Sequence, residues 1–237
     1  MSKLRQLNWR SALLDGVAVL VGILLAFSID AWWDLRNQRE EADSYLAAVE
    51  TELTSNREAL SEELEIIKGW VAESEGFLNT VVAPEASPTY DQVREMVWKT
   101  GPNRTTPIAR AAIDDLMSSG GFQVIESPKL IRALADYVMA LDNDASELED
   151  VRDFFNHHVL PYHIREGSFT EFDWETALEV SESPVTFEMN IAAFAGNRVY
   201  ANLLISRILE FDNLRNSHRV LLDRIDAVLE LIEGRTS

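Results

Sequence analysis

No cysteine occurs among the 237 residues, so the chain forms no disulfide and has no thiol nucleophile. Cationic side chains are scarce: 21 Lys and Arg stand against 40 Asp and Glu, a formal net charge of -19. A surface this negative repels phosphate backbones, and no Lys/Arg stripe overrides the total, which argues against nucleic acid as a partner. Glycine-rich catalytic loops are missing too. With no Gly-x-Ser-x-Gly elbow, no Walker loop and no dinucleotide fingerprint, the chain reads as a non-enzyme that needs no cofactor. No segment alternates with a period of two over a strand's length, which leaves an all-α fold.

What is present, at 46% hydrophobic residues, suffices for a folded domain. The one strongly apolar stretch is Gly16 to Ile29. As a helix it rises only roughly 21 Å, short of a hydrocarbon core of about 30 Å. From Trp9 to Trp32, however, the rise is roughly 35 Å, and Trp9, Trp32 and Trp33 stand where indoles favour the two membrane-water interfaces. The stretch therefore reads as a transmembrane anchor. A cleaved signal peptide fits less well, because Asp15 breaks the apolar core and no small-x-small site precedes Trp32. Lys3, Arg5 and Arg10 precede the anchor, whereas Arg36 and Arg39 follow it among Asp34, Glu40, Glu41 and Asp43. The basic side stays in the cytoplasm. Residues 1–10 then form a cytoplasmic N-terminus, 11–33 the anchor and 34–237 a helical domain outside the membrane, periplasmic in a bacterium.

After Trp33 no proline occurs until Pro84. Apolar or small residues recur at Ala42, Leu46, Val49, Leu53, Asn56, Leu60, Leu64, Ile67 and Val71, a heptad-like seam on a helix that continues the anchor from about residue 10 to about residue 80. Asn56 lies in that seam, either fixing register or facing a neighbour in an ordinary bundle. Val82–Ser87 is expected to turn, and Thr89–Thr100 to form a short helix ended by Gly101-Pro102. Thr106-Pro107 predicts an N-cap and first helical position, with Gly120-Gly121 as the stop. Ser127-Pro128 repeats the start signal, for a helix carrying Leu130, Leu134, Val138 and Leu141 to Phe155 or His158, which Pro161 and Gly167 interrupt. Ser183-Pro184 predicts another helical stretch. After Gly196 a long helix is expected to reach Gly234 and pack against the first.

Gly22-Ile23-Leu24-Leu25-Ala26-Phe27 followed by Ile29-Asp30-Ala31-Trp32, and Asp115-Leu116-Met117-Ser118-Ser119-Gly120 followed by Ile125 and Leu130-Ile131-Arg132-Ala133-Leu134, resemble a family of bacterial single-pass membrane proteins grouped under a domain of unknown function. Asp30-Ala31 replaces that family's paired asparagines, and Asp15 stands where its members commonly carry Glu. The resemblance implies an inner-membrane location and a helical domain but no activity.

Asp15, Ala18, Gly22, Ala26 and Asp30 recur on one face of the anchor. Small side chains in such a row let a second helix approach closely. Asp15 either snorkels to the headgroups near Arg10 and the helix dipole, or pairs with a second membrane helix. His157, His158 and His163 lie near Asp153 and Glu166 but lack the spacing of helical metal sites, so no metal is expected. The run from Asp142 to Asp150 lacks the glycine of a calcium loop and is expected to be a solvated helix face. The sequence thus predicts a membrane-anchored interaction protein, either an accessory subunit of an inner-membrane complex or a homo-oligomer, whose partners are the bilayer and other membrane helices. The alternative is a periplasmic sensor module acting through a partner.

Overall fold

The computed structural model of the protein describes residues 9–83, 88–99, 108–167 and 189–236, with side chains from Leu20 onward. Every regular element among them is helical: α1 (Trp9–Val82), α2 (Tyr90–Lys99), α3 (Ala111–Ser118), a 3₁₀ turn (Gly121–Gln123), α4 (Pro128–Phe154), a π-helical turn (Phe155–Val159), α5 (Leu160–Glu166), α6 (Ile191–Phe194) and α7 (Arg198–Thr236). The all-α expectation holds. No helix among the described residues is long and apolar enough to cross a membrane.

Contacts divide the chain into two compact units. The first comprises α1 up to Val49 together with Ala111–Pro128. Its core is Ala42, Leu46, Val49, Ile113, Leu116 and Ile125. Two glycines reverse the chain after α3. Gly120 adopts φ 78°, a left-handed conformation that a Cβ disfavours. Gly121 fits for a different reason, since a Cβ there would lie 2.5 Å from Leu116 Cδ1, 3.0 Å from the Leu116 carbonyl oxygen and 3.3 Å from the Tyr45 ring.

The second unit, Glu50–Arg110 with Lys129–Ser237, is a bundle of three long helices. Arg57 reaches Asp226 at 3.7 Å and the Trp70 and Phe211 ring centroids are 5.4 Å apart, so α7 packs against α1, as the sequence predicts, and runs antiparallel to it. Asn56 meets Tyr137, and Glu63 and Asp144 both face His218, so α4 runs parallel to α1. Buried positions follow the four-three alternation on all three helices, the spacing that keeps a seam facing its partners. One expected seam position moves: Glu63 is buried and Leu64 is only half-buried, because the ionic partners of Glu63 lie inside the bundle.

Local signals explain two of the helix starts. Thr89 and Gln92 form a reciprocal capping box at α2, the Thr89 N–H donating to Gln92 Oε1 at 2.8 Å and the Gln92 N–H to Thr89 Oγ1 at 3.3 Å. Asn197 Oδ1 accepts from the N–H groups of Val199 and Tyr200 at the start of α7. Two expectations need correction. Thr106 and Pro107 lie outside the described residues, but 108–110 is not helical and α3 starts at Ala111, because the Asn56 amide holds the Ala109 backbone in place. Pro161 does not interrupt its helix. The π-helical turn lets the Leu160 N–H donate to Phe155, and Pro161, which has no N–H to donate, enters α5 in its first turn. Ser183, Pro184 and the residues up to 188 also lie outside the described residues, and the helix that follows them is α6, Ile191–Phe194.

Substituting alanine at two glycines separates these constraints. Gly121→Ala must push aside the Leu116 side chain and crowd its carbonyl oxygen, and is expected to lower the unfolding free energy by roughly 1–3 kcal/mol. Gly76→Ala, where an added Cβ meets nothing within 4 Å, is expected to raise it by about 0.5–1 kcal/mol through helix propensity. Chemical denaturation followed by circular dichroism reads both.

Candidate functional site

Three groups of residues stand out: an uncovered apolar helix, an amide clamp and a buried ionic layer. From Leu20 to Trp33, α1 places Leu20, Val21, Ile23, Leu24, Leu25, Phe27, Ile29, Trp32 and Trp33 in the open, each between 47% and 66% exposed. Consecutive helical residues point in all directions, so the apolar surface encircles the helix. Its one hydroxyl in this stretch is paired along the helix: Ser28 Oγ donates to the Leu24 carbonyl at 2.7 Å. At the collar's end Trp32 and Trp33 lie 6.1 Å apart, the Arg36 guanidinium stands 5.9 Å over the Trp32 ring, and Arg36 pairs with Glu40 at 2.9 Å. Gly22, Ala26 and Asp30 of the small-residue row are exposed, and a Cβ on Gly22 would meet nothing within 4 Å. The side chains of Trp9, Asp15 and Ala18 lie outside the described residues.

The seam residues Leu46, Val49, Leu53, Asn56 and Leu60 are all buried. Asn56 works as a clamp. Its Nδ2 donates to the Ala109 carbonyl at 2.7 Å and reaches Tyr137 Oη at 3.3 Å, while its Oδ1 accepts from the Ala109 N–H at 3.0 Å. One amide thus satisfies both backbone groups of a segment that has no helix to satisfy them.

Seven residues further along both α1 and α4 lies the ionic layer. His218 of α7 is 2% exposed; its Nδ1–H donates to Asp144 Oδ1 at 2.6 Å, and Nε2 faces Glu63 Oε1 at 4.0 Å. Burial by itself depresses the imidazolium, but the hydrogen bond to Asp144 and the negative charges of Asp144 and Glu63 outweigh it and raise the pKa to about 9. The sequence reading missed this layer. Asp144 sits within the acidic run expected to be a solvated face, and that expectation fails here, since Asp144 is 3% exposed. Its neighbours do face outward, Asp142 pairing with Arg110 at 2.9 Å. The available signal was heptad spacing from Asn56 to Glu63, which places an acid in the seam.

A second buried histidine behaves oppositely. His163, among the rings of Phe194 and Tyr200, is driven by burial and then by the Arg207 cation down to a pKa of about 3. Arg207 itself is buried, 5.2 Å from the Phe155 ring and 4.8 Å from the Phe211 ring, and burial lowers its pKa to about 10. His157 and His158 are exposed. Among the described residues no group of three or more His, Asp or Glu side chains is arranged to hold a metal ion. No protein-family model, curated protein or solved structure matches this chain.

The His218 pKa predicts a pH dependence with a definite sign. Between pH 6.5 and about 9 the folded chain holds a proton that the unfolded chain releases. The layer's stabilisation is therefore complete below 6.5 and lost as pH rises through 9, by on the order of 3 kcal/mol. His218→Gln should flatten that part of a stability-against-pH curve measured by urea unfolding. Asn56→Ala, which strands the Ala109 backbone groups, should lower stability by about 1–3 kcal/mol in the same assay.

Proposed function

We propose that the protein is a membrane-anchored helical interaction protein. The observation that carries this reading is the apolar collar of α1 from Leu20 to Trp33, uncovered on every side. At about 25 cal/mol per Å², a half-exposed Leu, Ile or Phe in water forgoes on the order of 2 kcal/mol, and the six of these between Leu20 and Ile29, with Val21, Trp32 and Trp33, favour an apolar surrounding. A bilayer supplies it around the whole circumference, whereas a protein partner would cover one side. The paired tryptophans and Arg36 at the collar's end suit the interface between hydrocarbon and water. The span includes residues ahead of Leu20, and its short apolar length is accommodated by tryptophans at both interfaces and by local thinning of the bilayer.

Basic residues ahead of the anchor favour a cytoplasmic N-terminus, with the bundle in the periplasm of a bacterium. This topology and the motifs at Gly22–Trp32 and Asp115–Leu134 support membership in the single-pass family that the sequence resembles. In this arrangement α1 joins anchor and bundle without a break, and Asp15, Ala18, Gly22, Ala26 and Asp30 form the face for a second membrane helix. The partner is a membrane complex or another copy of the chain. The same unbroken helix also favours a second reading, a sensor module whose ligand acts on the bundle and whose signal passes along α1 to a partner. A broad thermal-shift screen with no stabilising ligand would eliminate it.

The full-length chain is expected to sediment with membranes and to resist extraction by alkaline carbonate. Release by carbonate would reject the anchor. With the anchor retained, Gly22→Leu and Asp15→Asn are expected to reduce recovery of co-purifying membrane proteins, or of the chain's own oligomer, in mild detergent. Unchanged recovery in both variants would leave a passive tether.

A further inference from the structure

We propose that two copies of this chain pair side by side through the outward face of α7, with their helices parallel. The core side of α7 carries Leu204, Phe211, Leu214, Leu221 and Ile225, all buried. On the opposite side, Asn202, Ile205, Leu209, Asn213, Asn216 and Val220 are exposed and separated by three or four residues, the spacing of a helix-pairing stripe. Ile205, Leu209 and Val220 are 43%, 56% and 49% exposed.

The stripe is uncharged over about five helical turns, in a chain with 26% charged residues and a net charge of -19. The outward faces of the other two long helices are unlike it: α1 exposes Glu58, Glu62 and Glu65, and α4 exposes Asp136, Asp150 and Asp153. Two copies of so acidic a chain repel wherever carboxylates would face carboxylates. The α7 stripe itself sets no carboxylate opposite its own counterpart. On one flank Asp212 and Arg215 neutralise each other at 2.8 Å, and on the other Glu147 of α4 borders Asn213, Asn216 and Val220.

Self-pairing also follows from the amides of Asn202, Asn213 and Asn216. An asparagine side chain both donates and accepts, so identical asparagines related by a two-fold axis satisfy each other, which identical carboxylates or ammonium groups do not. A cationic partner would instead be drawn to the acidic faces. The parallel sense rests on the anchor reading, because two copies held in one membrane are related by an axis along its normal, which sets each α7 residue opposite its own counterpart.

The absence of native cysteine makes a clean test available. Leu209→Cys, Asn213→Cys and Asn216→Cys are made singly in the full-length chain, with Glu62→Cys as the control. Membranes carrying each are oxidised with copper phenanthroline and run on a non-reducing denaturing gel. Each stripe variant is expected to give a species of twice the chain's mass, roughly tenfold above the control, and adding Leu209→Glu to the Asn216→Cys chain to remove about nine-tenths of it. Equal yield at Glu62, cross-links only between Leu209→Cys and Asn216→Cys chains mixed together, or adducts of a mass other than two copies would each overturn the pairing. A silent stripe in chains that still sediment with membranes rejects the pairing and keeps the anchor. Chains recovered in the soluble fraction reject the anchor and, with it, the basis for a parallel pair.

Discussion

The three-helix unit depends on one buried cation held between two carboxylates from different helices. His218 comes from α7, Asp144 from α4 and Glu63 from α1. Moving three ionisable groups out of water is costly, and the mutual attraction offsets that cost only when the geometry is maintained. Sliding any of the three helices by one turn would leave a carboxylate or an imidazolium buried alone, at several kcal/mol. The layer therefore selects register more than it adds stability. Apolar seams permit many registers, and a polar layer permits one.

Asn56 extends that selection to a segment outside the helices. Its amide sits one heptad before Glu63, as Tyr137 sits one heptad before Asp144, and holds Ala109 by both backbone groups. At the far end of the same unit the packing becomes aromatic. Tyr162, Phe194 and Tyr200 stack or meet edge to face, with centroids between 4.9 and 5.8 Å apart, and the Tyr162 hydroxyl donates to the Ala193 carbonyl at 2.6 Å. These contacts position the short α6 against α5. The π-helical turn is part of the same solution, since it admits Pro161 while α5 continues to Tyr162 and His163.

The proposed role uses the contrast between these helices and the start of α1. In the bundle, every apolar residue of the seam has a neighbour; between Leu20 and Trp33 none of the large apolar side chains is covered. The proposed anchor and the bundle would impose opposite requirements on one helix, an apolar surface all round in one part and a single apolar stripe in the other. The sequence changes from the first pattern to the second between Trp33 and Ala42. The neutral face of α7 is a third pattern, apolar and amide-bearing and exposed among the described residues.

Periodicity determined much of this protein without any coordinates. The unbroken α1, the seam from Ala42 to Leu60, the start of α4 at Pro128, the stop at Gly120 and the long C-terminal helix all follow from spacing and punctuation, which act over a few residues. Tertiary structure decided what the polar residues do. Asp144 looks like its solvated neighbours in the acidic run, and Glu63 like any other acid on a charged helix, until His218 is brought to both from more than seventy residues away. Local pattern does not specify which helix will lie opposite, and the fate of a buried charge depends entirely on that. For the same reason the sequence misplaced the start of α3, where the deciding partner of Ala109 is an asparagine on another helix.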